Sequence, residues 1–181
     1  MKEILPFGQP LGGVMQIAHI VEDMDAAIEH WSRNLGIGPF FVFDSFPLAN
    51  ILHRGKPVEL DLSLALAFSG SMCFELIVDR SPGPSVYRDI REMRGYGFHH
   101  FAVSTRDFDG DVARYKAAGF ETALYAEVPA VNGRAAYMDT TAALGGMVEL
   151  IELNPQVEEF FAGMRRAADE WDGKDPVRRM G

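Results

Sequence analysis

Two short stretches of this chain each carry a single carboxylate among apolar neighbours, and that pairing limits the possible folds more than any other feature. Cys73-Phe74-Glu75-Leu76-Ile77 and Met147-Val148-Glu149-Leu150-Ile151 share one pattern. Each reads as a buried strand, where an ionised carboxylate is costly unless it is paired or bound to a metal. Two of them at matching places point to one common positive partner. Upstream, Asp23 and Asp107 lie 84 positions apart, as do the strand residues Gln16 and His100, seven places before each. That spacing predicts a duplicated module.

The elements follow the same order twice. VMQIAHIV over 14–21 is β-prone, and Glu22-Asp23-Met24-Asp25 offers caps for the helical stretch AAIEHWSRNLG, which Gly36 closes. Phe40 to Phe43, Pro57 to Phe68 and Met72 to Val78 read as three strands, completing βαβββ. Phe98 to Ser104 then reads as a strand, Asp107 as a cap and Val112 to Ala118 as a helix, with strands near 121–128, 133–139 and 146–153. The expected division is an extension over 1–13, modules over 14–79 and 96–153, a linker with a short helix over 80–95, and a helix and tail over 154–181. In that last helix Val157, Phe160, Phe161, Met164 and Ala168 fall on one face, which predicts that it covers a core edge or a partner.

Charge and cysteine content narrow the function classes. With 26 acidic against 17 basic residues the net charge is −9, which repels a phosphate backbone and an anionic membrane surface alike. The expectation is no nucleic acid and no membrane partner. Cys73 is the lone cysteine and the first residues do not resemble a signal peptide, so a reducing cytoplasm is expected.

Alternation along a strand puts Gln16, Ala18 and Ile20 on one face, and His100, Ala102 and Ser104 on one face of the equivalent strand. Together QIAHIVEDMDAAIEHW, FELIV, GFHHFAV and GGMVELIEL resemble the vicinal oxygen chelate superfamily, which includes glyoxalase I and methylmalonyl-CoA epimerase, over residues 14 to 153. The resemblance implies an α+β fold: two βαβββ modules form curved mixed sheets around a metal-binding cavity, with the C-terminal helix added. It also implies that each module gives one metal ligand from its first strand and one from its last, which by position are Gln16, Glu75, His100 and Glu149. This set is closer to some glyoxalase I enzymes than to the epimerase, which usually has histidine in place of Gln16 and glutamine in place of Glu75.

Two carboxylates, a neutral imidazole and an amide balance one divalent ion and leave positions open for substrate. Zn, Ni, Co, Mn and Fe all suit that donor set, with Mg possible. The reading is a lyase or an isomerase/epimerase that moves a proton on a small oxygenated substrate, with Glu149 or Glu75 as the base. Glutathione or coenzyme A thioesters are the substrates the resemblance implies. However, the sequence has no phosphate-cradling Gly loop or compact Arg/Lys cluster, so an apolar oxygenated molecule stands beside them. The rivals are an extradiol-type dioxygenase, which needs two histidines and a carboxylate, and a metal-free small-molecule-binding protein. His99 is expected to point at the helix layer, Glu152 to be out of phase with the site, His19 to pack on a helix, His30 to be solvated and His53 to lie in a loop. The aromatics Phe40, Phe41, Phe43, Phe46, Tyr87 and Tyr137 are read as mostly core, with some lining the cavity. The apolar face of the 155–171 helix and exposed sheet edges predict a homodimer.

Overall fold

In β1 (Val14–Ile20) the β-branched and apolar residues form the strand that opens the first repeat of this computed structural model, which describes residues 2–180. Asp23 caps α1 (Met24–Leu35), accepting a hydrogen bond from the Ala26 N–H at 2.9 Å. The helix ends at Gly36, whose φ of 66° is the left-handed conformation glycine adopts at little cost. β2 (Phe40–Phe43), β3 (Ala49–His53), β4 (Lys56–Pro57), β5 (Leu62–Ser69) and β6 (Met72–Asp79) follow, then α2 (Val86–Arg94). The second repeat is β7 (Gly97–Thr105), α3 (Phe108–Ala117), β8 (Thr122–Val128), β9 (Gly133–Met138), the single turn α4 (Thr141–Leu144) and β10 (Met147–Glu152). Asp107 caps α3 as Asp23 caps α1. α5 (Pro155–Asp169) and β11 (Val177–Met180) complete the chain.

Among the described residues the strands form one curved, unclosed sheet in the order β11-β2-β5-β6-β1-β7-β10-β9-β8-β3-β4. The two repeats meet at β1 and β7, which pair antiparallel. Each of these strands also pairs in parallel with the last strand of its own repeat, β1 with β6 and β7 with β10. Within this chain, therefore, the repeats pair with each other.

Three elements differ from the sequence reading. The expected long strand from Pro57 to Phe68 is two pieces, because residues 49–57 leave the first repeat as a hairpin whose β3 pairs with β8 of the second. His53 is accordingly on a strand, not in a loop. The helix read as Val112 to Ala118 starts earlier, at Phe108, directly after the Asp107 cap. β11, not foreseen, adds in parallel to β2 at the sheet edge.

The apolar face of α5 is buried within the chain. Val157, Phe161 and Met164 pack with Leu5, Phe7, Leu66 and Phe68, and the Phe161 ring lies 5.6 Å from that of Phe7 and 6.4 Å from that of Phe68. Burying a side chain of this size contributes about 1.5–3 kcal/mol. One of the two grounds for expecting a homodimer, a free apolar face on this helix, is thereby removed.

Candidate active site

Strand register brings the four sequence-predicted ligands together. Across the sheet, Ala18 is level with Glu75 on β6 and with His100 on β7, while Ala102 is level with Gln16 on β1 and Glu149 on β10. Paired residues share a sheet face, so the four side chains rise around two alanines that leave the space above them open. Gln16 Nε2 donates to Glu75 Oε2 at 3.0 Å and lies 3.4 Å from His100 Nε2. His100 Nε2 is 3.4 Å from Glu75 Oε2 and 3.2 Å from Glu149 Oε2. All four residues are buried.

His99, expected to face away, does not. The β1–β7 register slips between Ala18 and His19, which pair with His100 and Phe98, so His99 is the extra residue of a β-bulge. A second slip makes Met15 the extra residue before Gln16. The repeats therefore share this device, a bulged and fully buried residue directly before the first-strand ligand. Alternation fails at a bulge, and nothing in the sequence pattern marks it. His99 Nδ1 lies 2.9 Å from His100 Nδ1, and His99 Nε2 lies 3.2 Å from the Val86 carbonyl.

These contacts assign the protons. A carbonyl can only accept, so His99 Nε2 carries hydrogen. Burial, reinforced by His100, holds the His99 imidazole well below its ordinary pKa, so it is neutral and its Nδ1 is an acceptor. His100 Nδ1–H then donates to it, which leaves Nε2 as the nitrogen that faces the two carboxylates. His100 Nε2, Glu75 Oε2 and Glu149 Oε2 thus converge on one buried point, where a cation would balance the two carboxylates. Burial, then the charge of Glu149, pushes the Glu75 carboxyl well above its ordinary range.

The donor chemistry fits a divalent ion. Separations of 3.0–3.4 Å between donor atoms match neighbouring ligands bound at about 2.0–2.2 Å. Two details of the side chains differ from a finished coordination sphere. Gln16 presents nitrogen, and an amide binds metal through oxygen, so its side-chain amide must rotate to exchange the two. Moreover, among the described residues no three His, Cys, Asp or Glu side chains stand in an arrangement ready to hold an ion. The carboxylates therefore have to open slightly from the hydrogen-bonded positions seen here.

Gln16, Glu75 and Glu149 line a cavity of about 90 Å³. α2, foreseen as part of a linker, supplies Tyr87 to its wall, and β9 supplies Tyr137. The Tyr87 ring stacks on His99 at 4.8 Å, and Tyr137 meets His100 edge-on at 4.8 Å. Their hydroxyls are 3.3 Å apart. Both phenols are held un-ionised, Tyr87 by burial and then the Glu75 charge, Tyr137 by burial and then the Glu149 charge. Of the other aromatics singled out in the sequence, Phe46 lines the cavity, while Phe40 is in the core under α1.

The remaining histidines stand away from this cluster. His19 packs edge-on to Trp31 of α1 at 5.0 Å, exposed His30 contacts Asn34, and His53 lies 3.0 Å from Asp89. Glu152 forms a two-point ion pair with Arg134 at 2.6 and 2.7 Å.

Residues 15–137 match the family described as the Glyoxalase/Bleomycin resistance protein/Dioxygenase superfamily. The chain belongs to this superfamily. Solved structures of similar fold include the methylmalonyl-CoA epimerase of Mycobacterium tuberculosis, 22% identical, with a TM-score of 0.56 over 82% of this chain and 93% of that one. A hypothetical protein of Bacillus halodurans C-125 is 18% identical, with a TM-score of 0.53 over 78% and 94%. A variant methylmalonyl-CoA epimerase of Streptomyces coelicolor in complex with 2-nitronate-propionyl-CoA is also 18% identical, with a TM-score of 0.50 over 78% and 97%. At these identities the likeness is one of fold. No curated protein sequence matches the chain. No helix among the described residues is long and apolar enough to cross a membrane.

Proposed function

We propose that this member of the superfamily is a divalent-metal-dependent enzyme, an isomerase/epimerase or glyoxalase-like lyase, that moves a proton next to an oxygen of a small substrate. The observation that carries this reading is the convergence of His100 Nε2 with the Glu75 and Glu149 carboxylates at 3.4 and 3.2 Å. Gln16, Glu75, His100 and Glu149 would hold the ion. When bound, it supplies a positive charge that stabilises the oxyanion developing on the substrate.

The chain's own groups do the rest. Glu149 takes the proton from the substrate carbon through a carboxylate oxygen and returns it, and Glu75 is the alternative base. His99 keeps His100 in the tautomer with Nε2 free. The apolar walls keep water from quenching the intermediate. A dioxygenase site of two histidines and one carboxylate is not supported, since both nitrogens of His99 are already engaged. A homodimer in a cytoplasmic setting belongs to the same reading. It is supported by the buried lone Cys73 and by the exposed apolar side chains of Met93, Tyr96 and Leu144.

Deuterium uptake by an acidic C–H, with metal content measured on the same sample, tests the proposal. Metal-loaded Glu149→Gln should slow exchange by ~10²–10⁴-fold, and by more where the metal is also lost. Undiminished exchange would move the role to Glu75, and no exchange by the wild type with any divalent metal would favour a binding protein.

A further inference from the structure

We infer that the crossing from Asp44 to Leu48 is a hinged strap that gates the candidate active site, opening at Phe46 and closing against α5. The inference rests on the proposed reading only in taking the cluster of Gln16, Glu75, His100 and Glu149 as the place to be reached.

Topology puts the strap over the cavity. β2 and β3 are consecutive in the chain but stand near opposite ends of the strand order. Residues 44–48 therefore cross from one wing of the curved sheet to the other, and so short a connection reaches at most about 20 Å. It crosses on the concave side, since Phe46 and Leu48 line the cavity while Asp44, Ser45 and Pro47 are exposed.

Burial of the cluster makes an opening necessary. His100 and Gln16 are 0% and 2% exposed, and Glu75 and Glu149 are 5% and 7% exposed. The cavity beside them, about 90 Å³, is smaller than the ~150 Å³ apolar cavity that admits benzene. Even a small substrate enters only if a wall moves.

The strap is the wall with the fewest ties. Among the described residues its one backbone–backbone hydrogen bond runs from the Phe46 N–H to the Leu62 carbonyl at 2.9 Å. Its ends are held. The Asp44 carbonyl accepts from Ser63 Oγ and from Arg80, each at 2.7 Å, and Asn50 Nδ2 donates to Glu127 Oε2 at 2.8 Å. Asn50 has a φ of 49°, in the left-handed region that asparagine tolerates and most residues resist, which makes it the hinge. Pro47 fixes its own φ and keeps Phe46 extended, so the piece between swings as a unit. Phe46 meets Phe43 edge-on at 5.4 Å, and the Phe43 ring lies 6.0 Å from that of Phe160 on α5. These rings are the latch. α5 is the fixed post, with Val157, Phe161 and Met164 buried and Asn154 tied to the Val131 and Asn132 carbonyls, both at 3.0 Å.

Relaxation-dispersion NMR on metal-free protein and stopped-flow zinc uptake test the gate. We expect microsecond-to-millisecond exchange at the amides of Ser45, Phe46, Leu48 and Ala49 and none along α5. Zinc uptake should reach a plateau as zinc is raised, at the strap's opening rate. Asn50→Ala loses the bond to Glu127 and resists the left-handed φ, so it should raise that plateau by about tenfold. Phe46→Ala, which removes the latch, should raise it as well. Exchange centred on α5 instead of the strap would overturn the inference, as would a plateau unmoved in both variants. The two readings fail separately. Strap exchange in a protein that takes up no zinc keeps the gate and removes the metal enzyme, whereas zinc uptake without a plateau and without strap exchange keeps the metal site and removes the gate.

Discussion

Replacing His99 by phenylalanine isolates the contact that sets the tautomer of His100. Phenylalanine keeps an aromatic ring where His99 stacks on Tyr87 at 4.8 Å, so packing changes little. Two hydrogen bonds disappear, that from His99 Nε2–H to the Val86 carbonyl and that from His100 Nδ1–H to His99 Nδ1. Each leaves a buried polar group unpartnered at about 1–3 kcal/mol, so the metal-free fold should lose roughly 2–6 kcal/mol. With its acceptor gone, His100 no longer has a reason to keep hydrogen on Nδ1 and a lone pair on Nε2. Loss of such a supporting bond lowers metal affinity about 10–100-fold, or ~1.4–2.7 kcal/mol. His99→Gln is the rescue, because its amide can donate to Val86 and accept from His100 together. Competition with a chelator gives the affinity, denaturant titration the stability, and long-range ¹H–¹⁵N NMR the tautomer. Unchanged zinc affinity in His99→Phe, or a wild-type His100 protonated at Nε2 rather than Nδ1, would refute the argument.

Ala102→Leu should abolish metal uptake while costing about 1–3 kcal/mol of stability, because it fills the space between the four side chains; calorimetry and metal analysis on one sample check both. Since Glu75 is held above its ordinary pKa, the native metal-free protein binds more protons than the unfolded chain between those two values. Its stability should therefore fall as pH rises through that window, and metal binding should release a proton, readable by calorimetry in buffers of different ionisation enthalpy. Phe161→Ala should cost about 3–5 kcal/mol, because its ring joins α5 to Phe7 and Phe68. Thermal unfolding of this variant should show the loss even with metal absent. Light scattering at high micromolar concentration should give twice the 20.1 kDa chain mass, and a monomer there would remove the homodimer.

What the sequence determined by itself is local. Asp23 and Asp107 cap helices because a short carboxylate can reach an N–H three residues on. The apolar strands and Gly36 could likewise be read in place, because hydrophobic spacing and a left-handed turn depend on near neighbours. The lone carboxylates Glu75 and Glu149 stood out because charge in a strand needs compensation, so their importance was legible before any geometry. Tertiary structure decided how those residues meet. Only the pairing of β1 with β6 and β7, and of β7 with β10, sets Ala18 and Ala102 at the centre with four polar side chains around them. The bulge at His99 exists because β7 pairs with β1 one residue out of step, and no pattern within GFHHFAV distinguishes it from regular alternation. The destination of β3, the burial of α5 and the place of Tyr87 against His99 are likewise contacts between distant segments. Their energies depend on which surfaces the folded chain brings together, and a linear pattern does not contain that information.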